Sequence, residues 1–522
     1  MMAVVSFPKE NIKVQVEKGT KLIQAIRKCE LSLETPCNCM ALCGKCKVKV
    51  FGELSPISKE EAAFIEEENI RLACLVEIQG DVEVEFLENH KGLKTINRGY
   101  SIKAEVDNEI INKYKYSDNL CGVAFDIGTT GISAYLIDLR SGEVLNKASA
   151  LNPQTEYGGD VISRITFCME NDNGTEILSS SISEKLNDII EQLLVKGVNR
   201  QNIHVITVAA NTTMLHLLAN KNPESIAKAP YTAVFLDKQE KLAKDINLEI
   251  YEEGKVILLP SVSAYIGADI ISGIVATDFI NKNNKSIFID IGTNGEIVAN
   301  CNGELAASST AAGPALEGMN ISCGLRAVEG AIDKFNIDEE CNITYTTIGG
   351  RKAIGICGSG LLDITSALLT AGVLEKNGRF NIKMNEKLRG RFIDKKFYIT
   401  DDIYVSQKDI RQIQLAKGAI AAGIIMLLKE LHIRIEEIDE IVIAGAFGYH
   451  VNAESIKTIG LIPKGFKGNV SFVGNSSVEG AALSAINNKV LNKMIEIKEK
   501  IKIVELSTKV DFQNYFIKEL NF

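Results

Sequence analysis

The sequence lacks the surplus of basic residues that a nucleic-acid-binding protein carries. Its 522 residues include 58 lysines and arginines against 67 aspartates and glutamates, which gives a formal net charge of −9 at pH 7. Phosphate backbones are bound by basic surfaces, so this balance argues against nucleic acid as the main partner. The apolar share of 46% is ordinary for a globular chain of this length, for which about 150 residues per domain predicts three or four structural units.

Long apolar runs are also missing. A membrane-spanning helix needs about 18 to 20 apolar residues, whereas the longest candidate, 418–428, has 11 residues and lies between Lys417 and Lys429. The N-terminal segment MMAVVSFPKENIKV has neither the apolar core nor the cleavage site of a secretory signal. These absences predict a cytoplasmic protein with no membrane partner.

The 12 cysteines are unevenly distributed along the chain. Five lie between Cys29 and Cys46, and a sixth is Cys74. The others occur singly, at Cys121, Cys168, Cys301, Cys323, Cys341 and Cys357. Single cysteines in a reducing compartment are most often small buried apolar residues, so only the first group is a candidate site.

The spacing within that group is typical of iron–sulfur ligands. Five residues separate Cys37 from Cys43, two separate Cys43 from Cys46, and 27 separate Cys46 from Cys74. Three thiolates from one loop and a fourth from a distant segment suit a [2Fe–2S] cluster. Zinc prefers two Cys-x-x-Cys pairs, and only one is present. The predicted metal ligands are Cys37, Cys43, Cys46 and Cys74, with Cys39 open as a replacement for Cys37.

Residues 1–90 predict a compact α+β domain of the β-grasp type. Alternating apolar residues predict strands at 2–7, 12–17, 47–51 and 82–86. Helices are predicted after Thr20 and after Ser58, where Glu61 completes a capping box. The second helix carries five glutamates, Glu60, Glu61, Glu66, Glu67 and Glu68. They are interpreted as a solvated face, with a docking patch for a basic electron partner as the alternative.

The cysteine loop resembles that of plant and adrenodoxin-type ferredoxins. The resemblance lies in the five-residue spacing and in the trailing string RLAC at 71–74. The sequence departs from the commonest ferredoxin loop, because Asn38, Cys39 and Ala41 stand where that loop has glycines. The resemblance implies a ferredoxin-like domain that holds a [2Fe–2S] cluster.

An internal repeat follows a polar segment, 91–119, which we interpret as a flexible linker. Strand-like runs CGVAFDI, GISAYLIDL and EVLNKASA occupy 121–150, and similar runs SIFIDI, GEIVANC and GELAA occupy 286–307. The repeat spacing is near 164 residues. It predicts one large domain, 120–522, of two related α/β lobes at about 120–280 and 281–522. Helices at 177–195 and 408–431 are predicted on the outer faces of these lobes.

Each repeat carries the string DIGT where its first strand ends. A tight hairpin of glycine and threonine offers amides and hydroxyls to phosphate oxygens, and an aspartate at a strand end can hold hydrated Mg²⁺. The predicted phosphate contacts are Gly128, Thr129 and Thr130 in the first hairpin and Gly292, Thr293, Asn294 and Gly295 in the second. Two such hairpins on facing lobes predict a clamp for ATP.

Further motifs complete the predicted nucleotide site. The strand that begins at Ile441 runs into a glycine turn predicted to contact adenine through Gly445, Ala446 and Gly448. Asp290 is the first candidate for positioning Mg²⁺ or water, Asp126 is its partner, and Asp269 is a third catalytic candidate. This set resembles the acetate and sugar kinase/Hsp70/actin superfamily. The P-loop signature is absent. The five histidines form no catalytic grouping and are predicted to be structural or on the surface.

The whole chain resembles the reductive activators of corrinoid-dependent methyltransferases and corrinoid iron–sulfur proteins. The resemblance is carried by the strings NPQTEYGGDVISRI, ANTTMLHLL, GPALEGMNI, GICGSGLLDI, QKDIRQIQLAKGAI and IAGAFGYHVN. It implies that the protein returns an inactive Co(II) corrinoid to Co(I), with one electron passing through the [2Fe–2S] cluster and with support from MgATP hydrolysis. It further implies a corrinoid protein as acceptor, a ferredoxin or reductase as electron donor, and a homodimer.

Three alternatives remain at this point. One is an activator of 2-hydroxyacyl-CoA dehydratases, although such activators hold a [4Fe–4S] cluster between two subunits. Another is a redox-sensing regulatory module in which ATP sets a conformation and no electron reaches a substrate. The third is a small-molecule kinase, which would leave the cluster without a role.

Overall fold

The computed structural model describes residues 2–29, 31, 33, 46–62, 64–65, 69–86, 106–107, 119–281, 284–445 and 451–522. Almost all of the predicted linker, 91–119, therefore lies outside the described residues.

A five-stranded sheet forms the N-terminal part of the chain. Its strands are Met2–Phe7, Ile12–Glu17, Lys47–Leu54, Ile70–Leu72 and Ile78–Phe86. Numbered along the chain, they lie in the sheet in the order 2-1-5-3-4, so the second and fourth strands form its edges. Helices Leu22–Lys28 and Lys59–Ala62 accompany the sheet. The four predicted strands are confirmed. The strand Ile70–Leu72 was missed because three residues, all buried, are too short to show alternation.

Glu61 is buried, so the prediction that it belongs to a solvated glutamate face is wrong. Glu66, Glu67 and Glu68 lie outside the described residues. Its carboxylate accepts hydrogen bonds from Nε and Nη2 of Arg71, at 2.9 and 2.8 Å, and from the amide of Leu72 at 2.8 Å. The predicted cap is confirmed, because the amide of Glu61 donates to Oγ of Ser58 at 3.1 Å. A buried bidentate ion pair thus ties the short helix to the strand that leads to Cys74.

A six-stranded sheet forms the core of the first lobe. Its strands are Cys121–Ile127, Gly131–Asp138, Val144–Leu151, Ile203–Ala210, Gln239–Leu242 and Lys255–Leu258. Its helices are Val161–Glu170, Gly174–Leu193, Thr212–Leu218, Glu224–Ala227 and Ala268–Ala276. The first strand pairs antiparallel with the second and parallel with Ile203–Ala210, so it lies near the centre of the sheet.

The second lobe is built around a similar sheet. Its strands are Lys285–Ile291, Gly295–Cys301, Glu304–Thr310, Glu440–Ala444, Asn469–Gly474 and Ile501–Ile503. Its helices are Gly358–Thr370, Glu386–Arg389, Gln407–Glu430, Ala453–Thr458, Ser476–Ile486, Asn488–Lys500 and Phe512–Lys518. Two small sheets are added by Ala331–Ile337, Ile343–Thr347 and Gly355–Ile356, and by Phe392–Ile393, Lys396–Tyr398 and Tyr404–Ser406. The three strands predicted in each repeat are confirmed.

Two helices connect the lobes by crossing at close range. A Cβ placed on Gly480 would lie 2.2 Å from the carbonyl oxygen of Ser272, and one on Gly273 would lie 2.8 Å from Oγ of Ser476. Glycine at these two positions therefore sets the separation of helices Ala268–Ala276 and Ser476–Ile486. The second of these helices also packs on the first strand of the first lobe.

The helix Gln407–Glu430 contains the longest apolar stretch predicted from the sequence. By length and composition it could cross a membrane, but 78% of its most apolar window is buried inside the protein. It packs against strands Gly295–Cys301 and Glu304–Thr310 and against helix Phe512–Lys518. We therefore describe it as a core helix of the second lobe. No other helix in the described ranges meets the same test.

Candidate functional site

A cleft between the two lobes collects most of the residues predicted to bind nucleotide. Its lining includes Asp126, Gly128, Thr129, Thr130, Asp269, Asp290, Gly292, Thr293, Asn294 and Gly445. Gly295 is placed elsewhere, because a Cβ on it would meet Ile420 and Thr310 beneath the second hairpin. Ala446 and Gly448 lie outside the described residues. The two hairpins thus face one cleft, although they are about 164 residues apart in sequence.

Carboxyl groups crowd this cleft. Burial raises the pKa of Asp126 to about 7 and that of Asp290 to about 8, the latter helped by the negative charges of Asp269, Asp126 and Glu317. Burial also raises the pKa of Asp269 to about 6 and raises that of Glu296. Acids held this close favour a bound cation, because a cation relieves their mutual repulsion. Carboxylate oxygens are ligands that Mg²⁺ prefers, but within the described ranges no group of three or more acidic, histidine or cysteine side chains is arranged to hold a metal ion by itself.

Asn475 joins the two lobes at the first of these acids. Its Nδ2 donates to Oδ2 of Asp126 at 2.7 Å and lies 3.2 Å from Oγ of Ser133. Its Oδ1 accepts from the amide of Val478 at 3.2 Å and so caps the helix that follows. A single amide side chain therefore orients Asp126 and begins one of the crossing helices.

The first hairpin is held by Asn152 and Arg164, which do not line the cleft, and by Asn211, which does. Nδ2 of Asn152 donates to the carbonyl of Gly128 at 2.9 Å, and the guanidinium of Arg164 donates to the carbonyl of Thr129. Nδ2 of Asn211 lies 3.1 Å from Oγ1 of Thr129. These bonds fix the backbone of the hairpin before any ligand arrives.

The second hairpin has a different support. Oγ1 of Thr293 donates to Oε1 of Glu317 at 3.1 Å, and the amide of Gly292 donates to the carbonyl of Asn294 at 2.9 Å. Gly445 approaches the same region with φ +102°, and a Cβ there would lie 2.8 Å from Oδ1 of Asp290. Only glycine adopts this conformation readily at such close range. The glycine turn and the catalytic candidate Asp290 are therefore neighbours.

Several residues that line the cleft were missed by sequence reasoning. They are Ser133, Asn211, Ile291, Glu296, Leu316, Glu317, Arg326, Ala327, Ile348, Cys357, Gly358, Ser359, Asn475 and Ser477, together with Gly131. Three of them, Cys357, Gly358 and Ser359, belong to the string GICGSGLLDI that carries the family resemblance. Arg326 and Ile348 belong to no recognisable nucleotide-binding motif. Their position at the cleft is therefore visible only in the folded structure.

Two of the four predicted metal ligands lie in the described part of the chain. Cys46 and Cys74 are 2% and 1% exposed. The amide of Ala73 donates to the carbonyl of Cys46 at 2.9 Å, so both cysteines lie at the same edge of the N-terminal sheet. Two buried cysteines at the same end of a strand pair are placed as the predicted cluster site requires. Cys37, Cys43 and the alternative Cys39 lie outside the described residues.

His216 is a buried structural histidine in the first lobe, as predicted for this residue. Its Nδ1 lies 2.7 Å from the carbonyl of Thr212, and its Nε2 accepts from the amide of Val234 at 3.0 Å. These partners require the neutral tautomer with hydrogen on Nδ1. Burial accordingly lowers the pKa of His216.

This histidine predicts a pH-dependent loss of stability. Because the folded pKa is lower than the unfolded value of about 6.5, its contribution is complete above that pH and is lost as the pH falls through the folded pKa. We expect wild type to melt at a higher temperature than His216→Gln at pH 7.5, and we expect the difference to shrink towards pH 5. Thermal unfolding of both proteins measures this, with exposed His432→Asn as the control. A difference that stays constant with pH would contradict the assignment.

Three family descriptions match successive parts of the chain. Residues 7–79 match "2Fe-2S iron-sulfur cluster binding domain", residues 121–282 match "RACo middle region", and residues 284–522 match "C-terminal domain of RACo the ASKHA domain". The ferredoxin-type N-terminal domain and the actin-like ATPase fold are thereby confirmed.

Individual relatives extend over most of the chain. "Corrinoid activation enzyme RamQ" of Eubacterium limosum is 35% identical, with 84% of this chain and 76% of the relative covered. "[Co(II) methylated amine-specific corrinoid protein] reductase" of Methanosarcina barkeri is 27% identical and covers 77% of each chain. A solved "Reductive activator for corrinoid,iron-sulfur protein" superposes with a TM-score of 0.73 at 28% identity, covering all of this chain and 98% of its own.

Proposed function

Because this chain belongs to the RACo family of reductive corrinoid activators, we infer that it reduces the Co(II) corrinoid of a partner protein to Co(I) at the expense of ATP. The observation that carries this function is the combination of a ferredoxin-type domain and a two-hairpin cleft in one chain. A kinase does not need a ferredoxin-type domain, and a simple electron carrier does not need a nucleotide cleft. The function is tested by following the corrinoid spectrum with and without MgATP.

We propose that the cleft binds the triphosphate of ATP between its two hairpins. Oγ1 of Thr130 supports this, because it is buried at the cleft and has no hydrogen-bond partner among the described residues. A phosphate oxygen would satisfy it. The contacts from the second hairpin come from Gly292, Thr293 and Asn294, and Gly445 faces the nucleoside. Gly295 acts from beneath the hairpin, through packing.

We further propose that Asp290 is the main residue that positions Mg²⁺ and the attacking water. Asp126 assists from the other lobe, where Asn475 orients it. Asp269 is the third acid, held at the start of its helix by the amide of Ile270, which donates to Oδ1 at 2.9 Å. When bound, Mg²⁺ supplies charge neutralisation at the phosphate oxygens. The carboxylates supply a fixed geometry for it.

The electron-carrying site is proposed at Cys37, Cys43, Cys46 and Cys74. Cys46 and Cys74 support it by their burial at one sheet edge. The pair of Glu61 and Arg71 holds the backbone immediately before Cys74. When bound, a [2Fe–2S] cluster supplies a one-electron redox couple. The protein surroundings limit access of water to the two described thiols.

The domain boundaries, the linker, the partners and the oligomeric state are also proposed. We propose a ferredoxin domain at 1–90, a flexible linker at 91–119 and an ATPase domain at 120–522 with lobes that meet near 281. The linker would allow the small domain to reach both an electron donor, such as a ferredoxin or reductase, and the corrinoid protein. The net charge of −9 supports a protein partner and no nucleic acid. We expect a cytoplasmic homodimer with no membrane partner.

A further inference from the structure

Arg164 is a fully buried arginine directly behind the first phosphate hairpin. It lies on helix Val161–Glu170 and is 0% exposed. Its Nε donates to the carbonyl of Gly158 at 2.9 Å, and its Nη1 donates to Oε1 of Gln154 at 3.2 Å. Its Nη2 donates to the carbonyl of Thr129. The guanidinium therefore joins the hairpin to the segment 154–164, whose role the nucleotide site does not explain.

The charge of this arginine has no bonded counter-ion. Within the described part of the chain, every hydrogen-bond acceptor of Arg164 is a neutral oxygen or the sulfur of Met214. Burial lowers its pKa to about 9, so it is still a cation at neutral pH. A buried charge with no hydrogen-bonded counter-ion is costly, because water no longer solvates it, although the nearby negative charge of Asp160 raises the pKa of Arg164 against the effect of burial. An anion on the far side of the hairpin would offset that cost.

The direction of the hairpin's peptide groups places such an anion in the cleft. Asn152 binds the carbonyl of Gly128 through its side chain and the carbonyl of Thr130 through its own amide, at 2.9 Å each. Arg164 donates to the carbonyl of Thr129. The carbonyls of three successive residues, 128 to 130, are therefore hydrogen-bonded on the side away from the cleft. In a planar trans peptide the N–H points opposite to the C=O. The amides of Thr129, Thr130 and Gly131 therefore point towards the cleft.

We propose that Arg164 is a positioning residue for the phosphates of ATP: it fixes the Thr129–Thr130 peptide with its N–H towards the cleft and places behind it a positive charge to which no carboxylate is hydrogen-bonded. This inference rests on the nucleotide site proposed above and assigns the segment 154–164 a role in it. The charge matters because the described lining of the cleft carries five acidic residues, Asp126, Asp269, Asp290, Glu296 and Glu317, against one basic residue, Arg326. A buried cation acts through the hairpin with little screening.

Binding of two probes to the full-length holoprotein tests the proposal. MgATP carries the phosphates, and adenosine lacks them. In Arg164→Gln we expect the Kd for MgATP to rise at least about tenfold, which corresponds to about 1.4 kcal/mol, while the Kd for adenosine is unchanged. Arg164→Lys keeps the charge but not the three-way hydrogen bonding, so it should recover part of the affinity.

The matched control is Lys417→Met, which removes another buried cation bonded to a backbone carbonyl, that of Asn521. Lys417 does not line the cleft, so this variant should melt at a lower temperature but bind both probes normally. Equal weakening of MgATP and adenosine in Arg164→Gln, or unchanged binding of both, would overturn the role of Arg164. Failure of wild type to bind MgATP would instead overturn the proposed nucleotide site.

Discussion

Replacing Asp290 with asparagine should abolish ATP hydrolysis while the visible spectrum of the iron–sulfur domain stays the same. Asp290 is the penultimate residue of strand Lys285–Ile291, and it lines the cleft together with Asp126 and Asp269. Asparagine has the same shape but no negative charge, so it is a poor ligand for Mg²⁺ and does not orient a water as a carboxylate does. We expect kcat to fall by at least about 10²-fold, as when a single preorganised electrostatic contact is removed.

A second buried aspartate of the same lobe provides the control for this variant. Asp363 accepts a hydrogen bond from Oγ of Ser455 at 2.7 Å, burial raises its pKa, and it does not line the cleft. Asp363→Asn should therefore hydrolyse ATP at a rate near that of wild type. Phosphate release under saturating MgATP measures both variants. Normal turnover in Asp290→Asn would show that another acid of the cleft positions Mg²⁺.

Replacing Cys46 with serine should remove the visible absorption of the protein and its ability to activate a corrinoid protein. The thiol is buried at the sheet edge that also carries Cys74, and serine is a much weaker ligand for iron. Hydrolysis of ATP should persist, because the cleft is formed entirely by residues beyond 119. Absorption spectra, iron content and phosphate release measure the three properties.

Cys29→Ser is the matched control for this variant, since Cys29 belongs to the same domain and was not predicted as a ligand. It should keep the spectrum and full activation. If Cys46→Ser retained its absorption and iron, the predicted ligand set would be wrong. A parallel comparison of Cys37→Ser with Cys39→Ser decides which of these two cysteines is the remaining ligand, because only one variant should lose the cluster.

The fold was largely predictable because its elements repeat strong local patterns. Alternation in 121–150 and 286–307 located three strands in each lobe, and the predicted cap at Ser58 was confirmed by the hydrogen bond that its Oγ accepts from the amide of Glu61. The other half of the predicted capping box is replaced, because the carboxylate of Glu61 accepts from Arg71 and Leu72. The burial of Glu61 was not predictable, because its partner Arg71 lies ten residues away on a strand too short to show alternation. The local sequence reveals the periodicity of a helix or strand, but it does not reveal which distant residue a side chain contacts.

The candidate site was predictable only in part for the same reason. The two DIGT strings revealed Asp126 and Asp290 because each lies at a strand end in a recognisable hairpin. Arg164 and Glu317 support those hairpins from segments that show no phosphate-binding pattern of their own. Their roles depend on distances that exist only after the lobes have folded.

ATP-dependent reduction of a corrinoid is tested by following the spectrum of a Co(II) corrinoid protein under anaerobic conditions. The reduced activator is added with MgATP, without nucleotide, or with MgATP in the Asp290→Asn variant. Our account predicts conversion to the Co(I) spectrum only for wild type with MgATP. Equal conversion in all three mixtures would contradict the coupling of ATP hydrolysis to electron transfer. No conversion across a panel of corrinoid proteins, despite an intact [2Fe–2S] spectrum and measurable hydrolysis, would contradict the activator function and favour a redox-sensing module.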